Sequence, residues 1–226
     1  KQLIIAIDGP AGAGKSTIST RLADALGYLY IDTGAMYRAV ACLVADEGLD
    51  PADEPALANL CHDLKIDLIP QAGGLRVLAN GVDVTRRIRT PEISRLTPVV
   101  AASPPVRACL LRAQRQLGEK GGVVLEGRDI GTVVFPDAQV KFFLSASAEE
   151  RGRRRFDELR LKGVEADLQQ TIEAVRKRDE ADTNRAEAPL RKADDAVVVD
   201  STRLTIDEVL TAMLSVVKAR KKDLTA

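Results

Sequence analysis

The chain has no tryptophan, only four phenylalanines and three tyrosines, and a single histidine in 226 residues. So few rings argue against a surface on which nucleic-acid bases stack. One histidine, His62, excludes any histidine-dependent triad not built on that residue, and a surface or helix-capping place is expected for it. An excess of charge is missing too: Lys plus Arg and Asp plus Glu each number 33, so no global field draws the chain to DNA, RNA or an anionic membrane. No apolar stretch approaches the roughly 20 residues that span a bilayer, and the first residues show no secretory pattern; no membrane partner and a cytoplasmic location are expected. The three cysteines, Cys42, Cys61 and Cys109, are odd in number and widely spaced. They read as reduced and mostly core thiols, not as a disulfide framework, and Cys61-His62 lacks the partners a zinc site needs.

What the sequence does have is glycine where phosphate chemistry needs it. Gly9-Pro10-Ala11-Gly12-Ala13-Gly14-Lys15-Ser16-Thr17 follows the apolar run Leu3 to Ile7. This G-x-x-x-x-G-K-[ST] pattern between a buried strand and a helix is a phosphate cradle: glycines let backbone amides approach the anion, Lys15 reaches the β/γ oxygens, and the Ser16 hydroxyl can hold Mg²⁺. An ordinary glycine-rich turn would not need the strand before it and the helix after it.

Periodicity around the loop alternates. A helix is expected from Lys15 to Leu26, stopped by Gly27, then a strand from Tyr28 to Ile31, a turn at Asp32-Thr33-Gly34, and helices from Ala35 to Asp46 and Ala56 to Leu64. The period then drops to two over Lys65–Ile69, Leu75–Ala79 and Val82–Val84, and Asn80-Gly81 marks a hairpin. Thr90-Pro91-Glu92 and Pro104-Pro105 open two helices, the second reaching Leu117. Gly122–Glu126 and Val140–Leu144 read as parallel strands buried on both faces, and Ala196–Val199 as a last strand. Helices are expected over 147–162 and 167–179, broken at Gly163, and over 206–218. The expected fold is α/β, a doubly wound parallel sheet of the P-loop NTPase type with an inserted antiparallel meander. One domain of 226 residues is expected, not two independent ones.

Arginines at segment ends narrow the reaction: Arg38, Arg107, Arg128, Arg178 and Arg185. A single arginine is usually a solvated surface charge. Arg128 differs, because it follows a buried strand at its carboxyl end, where open α/β sheets place ligands. Several guanidiniums near a phosphate loop suit a second, phosphorylated substrate.

Four stretches together resemble the bacterial cytidylate kinase family: residues 9–17, Asp32-Thr33-Gly34-Ala35-Met36-Tyr37-Arg38, Gly127-Arg128-Asp129-Ile130-Gly131-Thr132-Val133-Val134-Phe135-Pro136, and Arg178-Asp179-Glu180-Ala181-Asp182-Thr183-Asn184-Arg185. The resemblance implies Mg²⁺-dependent transfer of the ATP γ-phosphoryl to CMP or dCMP by a monomer. It divides the chain into a core (about 1–34, 105–147 and 186–226), a part that binds the nucleoside monophosphate and carries the meander (about 35–104), and a helical lid (about 148–185). It implies ATP phosphates on Gly9 to Thr17, Mg²⁺ on Ser16, and Lys15, Arg128 and Arg185 as catalytic residues. The acceptor would meet Thr33, with Arg38, Arg128 and Arg185 on its phosphate, Arg107 and Asp129 on the cytosine, and Arg178 and Asp182 on the sugar. Where many relatives carry a serine near the base or sugar, this chain has Pro98, with Thr97 as the neighbouring hydroxyl.

Two other readings share the phosphate loop. A small-molecule hydroxyl kinase of the shikimate or gluconate type would need a general base, and Asp32 is the obvious candidate. A nucleotide switch or motor would carry an Asn-Lys-x-Asp guanine reader or an apolar run ending in Asp-Glu, and neither stands out in the sequence.

Overall fold

The computed structural model describes residues 2–71 and 74–224. In chain order the elements are β1 (Ile4–Asp8), α1 (Lys15–Leu26), β2 (Leu29–Asp32), α2 (Thr33–Asp46), α3 (Glu54–His62), β3 (Ile66–Gln71), β4 (Gly74–Ala79), β5 (Val82–Asp83), α4 (Pro91–Ala102), α5 (Pro104–Gly118), β6 (Val123–Gly127), β7 (Val140–Ser145), α6 (Ala148–Leu161), α7 (Leu168–Asn184), β8 (Val197–Asp200) and α8 (Ile206–Asp223). A 3-10 turn at Arg87–Arg89 and a single π-helical turn at Ile130–Val134 complete them.

The chain forms two compact units, one comprising Lys1–Tyr30 with Gly121–Ala226 and the other Ile31–Lys120. The first is built on a five-stranded sheet in the order β2-β6-β1-β7-β8. Strand β1 pairs in parallel with β6 on one side and β7 on the other, and β7 pairs in parallel with β8. Every residue of β6 is buried, as a strand covered on both faces requires. Helices α1 and α8 contribute Ile18, Leu22, Val209, Met213 and Val217 to a core that also holds Ile5, Ile7 and Phe142. Gly27 ends α1 in the left-handed region. A reciprocal capping box of Thr205 and Glu208 starts α8.

In the second unit the antiparallel meander β3-β4-β5 forms as expected. Asn80 and Gly81 both take positive φ (49° and 81°), the two-residue turn whose twist matches paired strands. Pro70 is tolerated because β3 is an edge strand.

Several boundaries move from expectation. Helix α2 starts at Thr33, because the Asp32 carboxylate accepts from Ala35 N at 2.8 Å and so caps the helix where a turn was expected. Helix α7 runs to Asn184, well past Asp179, since no glycine or proline interrupts 167–184. For the same reason α8 runs on to Asp223. Pro98 lies inside α4, and the Thr97 hydroxyl donates to Ile93 O at 2.6 Å, a bond within the helix itself. The three thiols are free, Cys42 and Cys61 buried and Cys109 partly so. His62 is exposed beside Asp63.

Candidate active site

The phosphate loop leaves β1 at the centre of the sheet. A Cβ on Gly9 would sit 2.0 Å from the Leu144 carbonyl oxygen at the end of β7, so only glycine lets the chain pass. Gly12 and Gly14 have φ of 76° and 89°. Gly14 precedes α1 without a side-chain cap, which leaves the first-turn amides and the positive end of the helix to face an anion. Lys15 is buried and folds back to donate from Nζ to Pro10 O at 2.7 Å. Burial, foremost, and the nearby Arg128 charge push its ammonium pKa down to about 7, against the opposing pull of Glu126, Asp8 and Asp182. Ser16 is exposed in the first turn of α1. Among the described residues no group of three His, Cys, Asp or Glu could hold a metal. A lone hydroxyl nevertheless fits Mg²⁺, which keeps several waters and takes further oxygens from substrate phosphates.

At the end of β6, Arg128 Nε lies 2.7 Å from Asp182 Oδ2, joining the strand to the last turns of α7. Asp129 is buried, and Arg185 Nη2 stands 3.9 Å from its Oδ1. Arg185 is aimed by the Ala188 carbonyl, which accepts from its Nε at 2.7 Å. The Arg128, Asp129, Asp182 and Arg185 side chains, four of the sequence-derived candidates, are thus brought together within the first unit. Arg178 is exposed one turn before Asp182, on the same face of α7.

The second unit holds the remaining candidates. Asp32 Oδ2 receives Arg38 Nη2 at 3.1 Å while its Oδ1 caps α2. Arg38 Nε is buried with no hydrogen-bond partner among the described residues, a donor for which a bound oxyanion would be the natural acceptor. Thr33 is buried at the first position of α2. The Arg107 guanidinium lies 5.6 Å from the centre of the Tyr37 ring and donates to Ala101 O at 3.3 Å.

Sequence reading missed two residues. Asp8, the last residue of β1, is buried and accepts from Ile130 N at 2.8 Å and Gly131 N at 2.7 Å. Burial outweighs these two bonds and pushes its carboxyl up to about 6. A carboxylate closing an otherwise apolar strand was the available signal. Arg151 in the first turn of α6 is buried; it donates to Ala146 O (2.9 Å) and to Ala11 O of the phosphate loop (3.0 Å), and pairs in two bonds with Asp179 of α7 (2.9 and 2.5 Å). It has no signal in the sequence, where it is one of four arginines between 151 and 155.

A family model described as cytidylate kinase matches residues 5–219. The chain is 60% identical over 220 residues to a cytidylate kinase of Geobacter sulfurreducens, covering 97% of this chain and 94% of that protein. It is 48% identical over 222 residues to the cytidylate kinase of Bacillus subtilis, covering 98% and 99%. Among solved structures, a shikimate kinase from Bacteroides thetaiotaomicron (TM-score 0.50, 13% identity, 96% of this chain and 98% of that one) and a gluconokinase from Sinorhizobium meliloti (TM-score 0.50, 15% identity, 100% and 98%) share the fold. At such identities the likeness is one of fold alone.

Proposed function

The chain belongs to the cytidylate kinase family, and from that membership and the geometry of its site we propose that it transfers the γ-phosphoryl group of ATP to CMP or dCMP. The observation that carries the reading is the cluster of Arg128, Asp129, Asp182 and Arg185 at the carboxyl end of β6, in the same unit as Lys15. A monophosphate acceptor has a second pKa near 6. Its attacking oxygen is therefore already ionised at neutral pH, so a site of positive forks suits it and no general base is required.

The hydroxyl-kinase alternative needs a base. Asp32 is a poor one: one carboxylate oxygen caps α2 and the other is paired with Arg38.

In this reading Gly9 to Thr17 cradle the ATP phosphates, and Lys15, Arg128 and Arg185 neutralise charge on the transferring group. Mg²⁺, when bound beside Ser16, would supply charge neutralisation at the phosphates. Thr33 and Arg38 take the acceptor together with Arg128 and Arg185 on its phosphate, Arg107 and Asp129 read the cytosine, and Arg178 and Asp182 hold the sugar. Residues of about 148–185 serve as a lid that excludes water, those of about 35–104 bind the acceptor, and the rest form the core. The enzyme works as a cytoplasmic monomer; among the described residues no helix is long and apolar enough to cross a membrane.

The test is a coupled assay of ADP release at fixed ATP and Mg²⁺, with a panel of nucleoside monophosphates, shikimate and gluconate as acceptors. Turnover is expected with CMP and dCMP far above the rest. Equal ADP release with no acceptor present, or preference for a sugar acid, refutes the proposal.

A further inference from the structure

We propose that Asp8 is a positioning residue for the acceptor: from the end of β1, one residue before the phosphate loop begins, it fixes the turn that directly follows Arg128 and Asp129. The proposal rests on the acceptor roles of Arg128 and Asp129 given above.

The turn at Ile130–Val134 has Asp129 at its N-cap, yet the Asp129 side chain makes no capping bond. An aspartate in that place ordinarily turns its carboxylate back onto the second or third amide of its own turn. Here Asp8 does that work across 122 residues of chain, one oxygen on Ile130 N and the other on Gly131 N. The Asp129 carboxylate is thus not the cap of its own turn, and its Oδ1 stands 3.9 Å from Arg185 Nη2.

Register gives the contact its leverage. Asp8 stands opposite Gly127 of β6 and Phe143 of β7, so one side chain ties the start of the phosphate loop and the turn after Arg128 and Asp129 to the same rung of the sheet. The turn is closely packed there: a Cβ on Gly131 would come within 3.1 Å of Lys141 Cδ and 3.4 Å of Asp8 Oδ2. A carboxylate is the side chain that accepts two amides at once. An asparagine of the same shape would put an NH₂ against one of those N–H groups. Keeping this charged group buried has a cost, which an apolar strand end would avoid.

The experiment is steady-state kinetics of Asp8→Asn, with ATP and CMP varied in turn and UMP as the alternative acceptor. The pH profile is not the readout, because the acceptor phosphate itself titrates near pH 6. The expected result is a KM for CMP raised about tenfold or more, a narrowed CMP-to-UMP ratio of kcat/KM, and a KM for ATP within about threefold of wild type. Equal shifts in both KM values, or an unmoved CMP-to-UMP ratio in a folded variant, overturn the proposal. Asp129→Asn is run beside it. If that variant leaves the ratio unmoved, the acceptor reading of the turn fails and takes this proposal with it; if it narrows the ratio and Asp8→Asn does not, the positioning role alone falls. Should Asp8→Asn not fold by circular dichroism, Gly131→Ala crowds the same turn against Lys141 and the Asp8 oxygen with the carboxylate intact. It must give the same split between CMP and ATP, and equal losses on both substrates overturn the proposal.

Discussion

Replacing Arg151 by methionine keeps most of the aliphatic stem and removes the guanidinium. Four bonds go with it: one to Ala146 O, one to Ala11 O and two to Asp179. The arginine side chain is 5% exposed and its carboxylate partner 25%. Breaking a buried pair from one side costs about 3–5 kcal/mol, most of it the penalty of a charge left without its partner. Asp179 can recover some hydration through its exposed quarter, so the low end applies, about 3 kcal/mol. In a chain of this size each kcal/mol moves Tm by about 2–4 °C, which puts the expected loss at about 6–12 °C. Calorimetry and urea unfolding of the ligand-free enzyme measure it. Arg151→Met with Asp179→Leu removes both charges together, and at least half of the lost stability is expected to return, because no unpaired buried charge remains. A single variant that loses less than about 2 °C, or a double variant whose losses simply add, refutes the reasoning.

Lys15→Ala and Arg128→Ala are each expected to lower kcat about 10³-fold or more with native circular dichroism. An Arg128→Ala variant keeping more than a tenth of wild-type kcat contradicts its role. With the Lys15 pKa near 7 in the free enzyme, the amine is about nine-tenths neutral at pH 8, and phosphate binding favours the ammonium. ATP binding at pH 8 should therefore take up close to one proton, read by titration calorimetry in buffers of different ionisation enthalpy; the uptake should fade toward pH 6 and vanish in Lys15→Met. Hydrogen exchange over 148–185 should slow when ATP and CMP are added together, most at the Gly163 end of the α6–α7 hairpin, away from the Arg151–Asp179 pair. Unchanged exchange argues against a lid.

The sequence by itself determined the phosphate loop, the meander and the family, because each rests on short-range requirements. Glycines at 9, 12 and 14 answer to the loop's own positive φ angles of 150°, 76° and 89°, although the close approach of Gly9 to Leu144 is a tertiary one. Asn80-Gly81 specifies its turn through two residues alone. The arginine-rich motifs were legible for the same reason, as residue types spaced along one strand end and one helix face. Partnership is what only the tertiary structure decided. Arg128 and Asp182 lie 54 residues apart, Asp8 and Ile130 122, and Arg151 and Ala11 140. Nothing local separates Arg151 from Arg153, Arg154 and Arg155. It is singled out because a Cβ on Gly152 would fall 2.4 Å from Ile172 Cγ1, so α6 and α7 approach closely there and bury the neighbouring guanidinium. Asp8 likewise reads in the sequence as the polar end of a strand. It becomes an acceptor for two amides only because β1 lies between β6 and β7, the order of strands in the sheet being set by how helices cover its faces and not by any residue near Asp8.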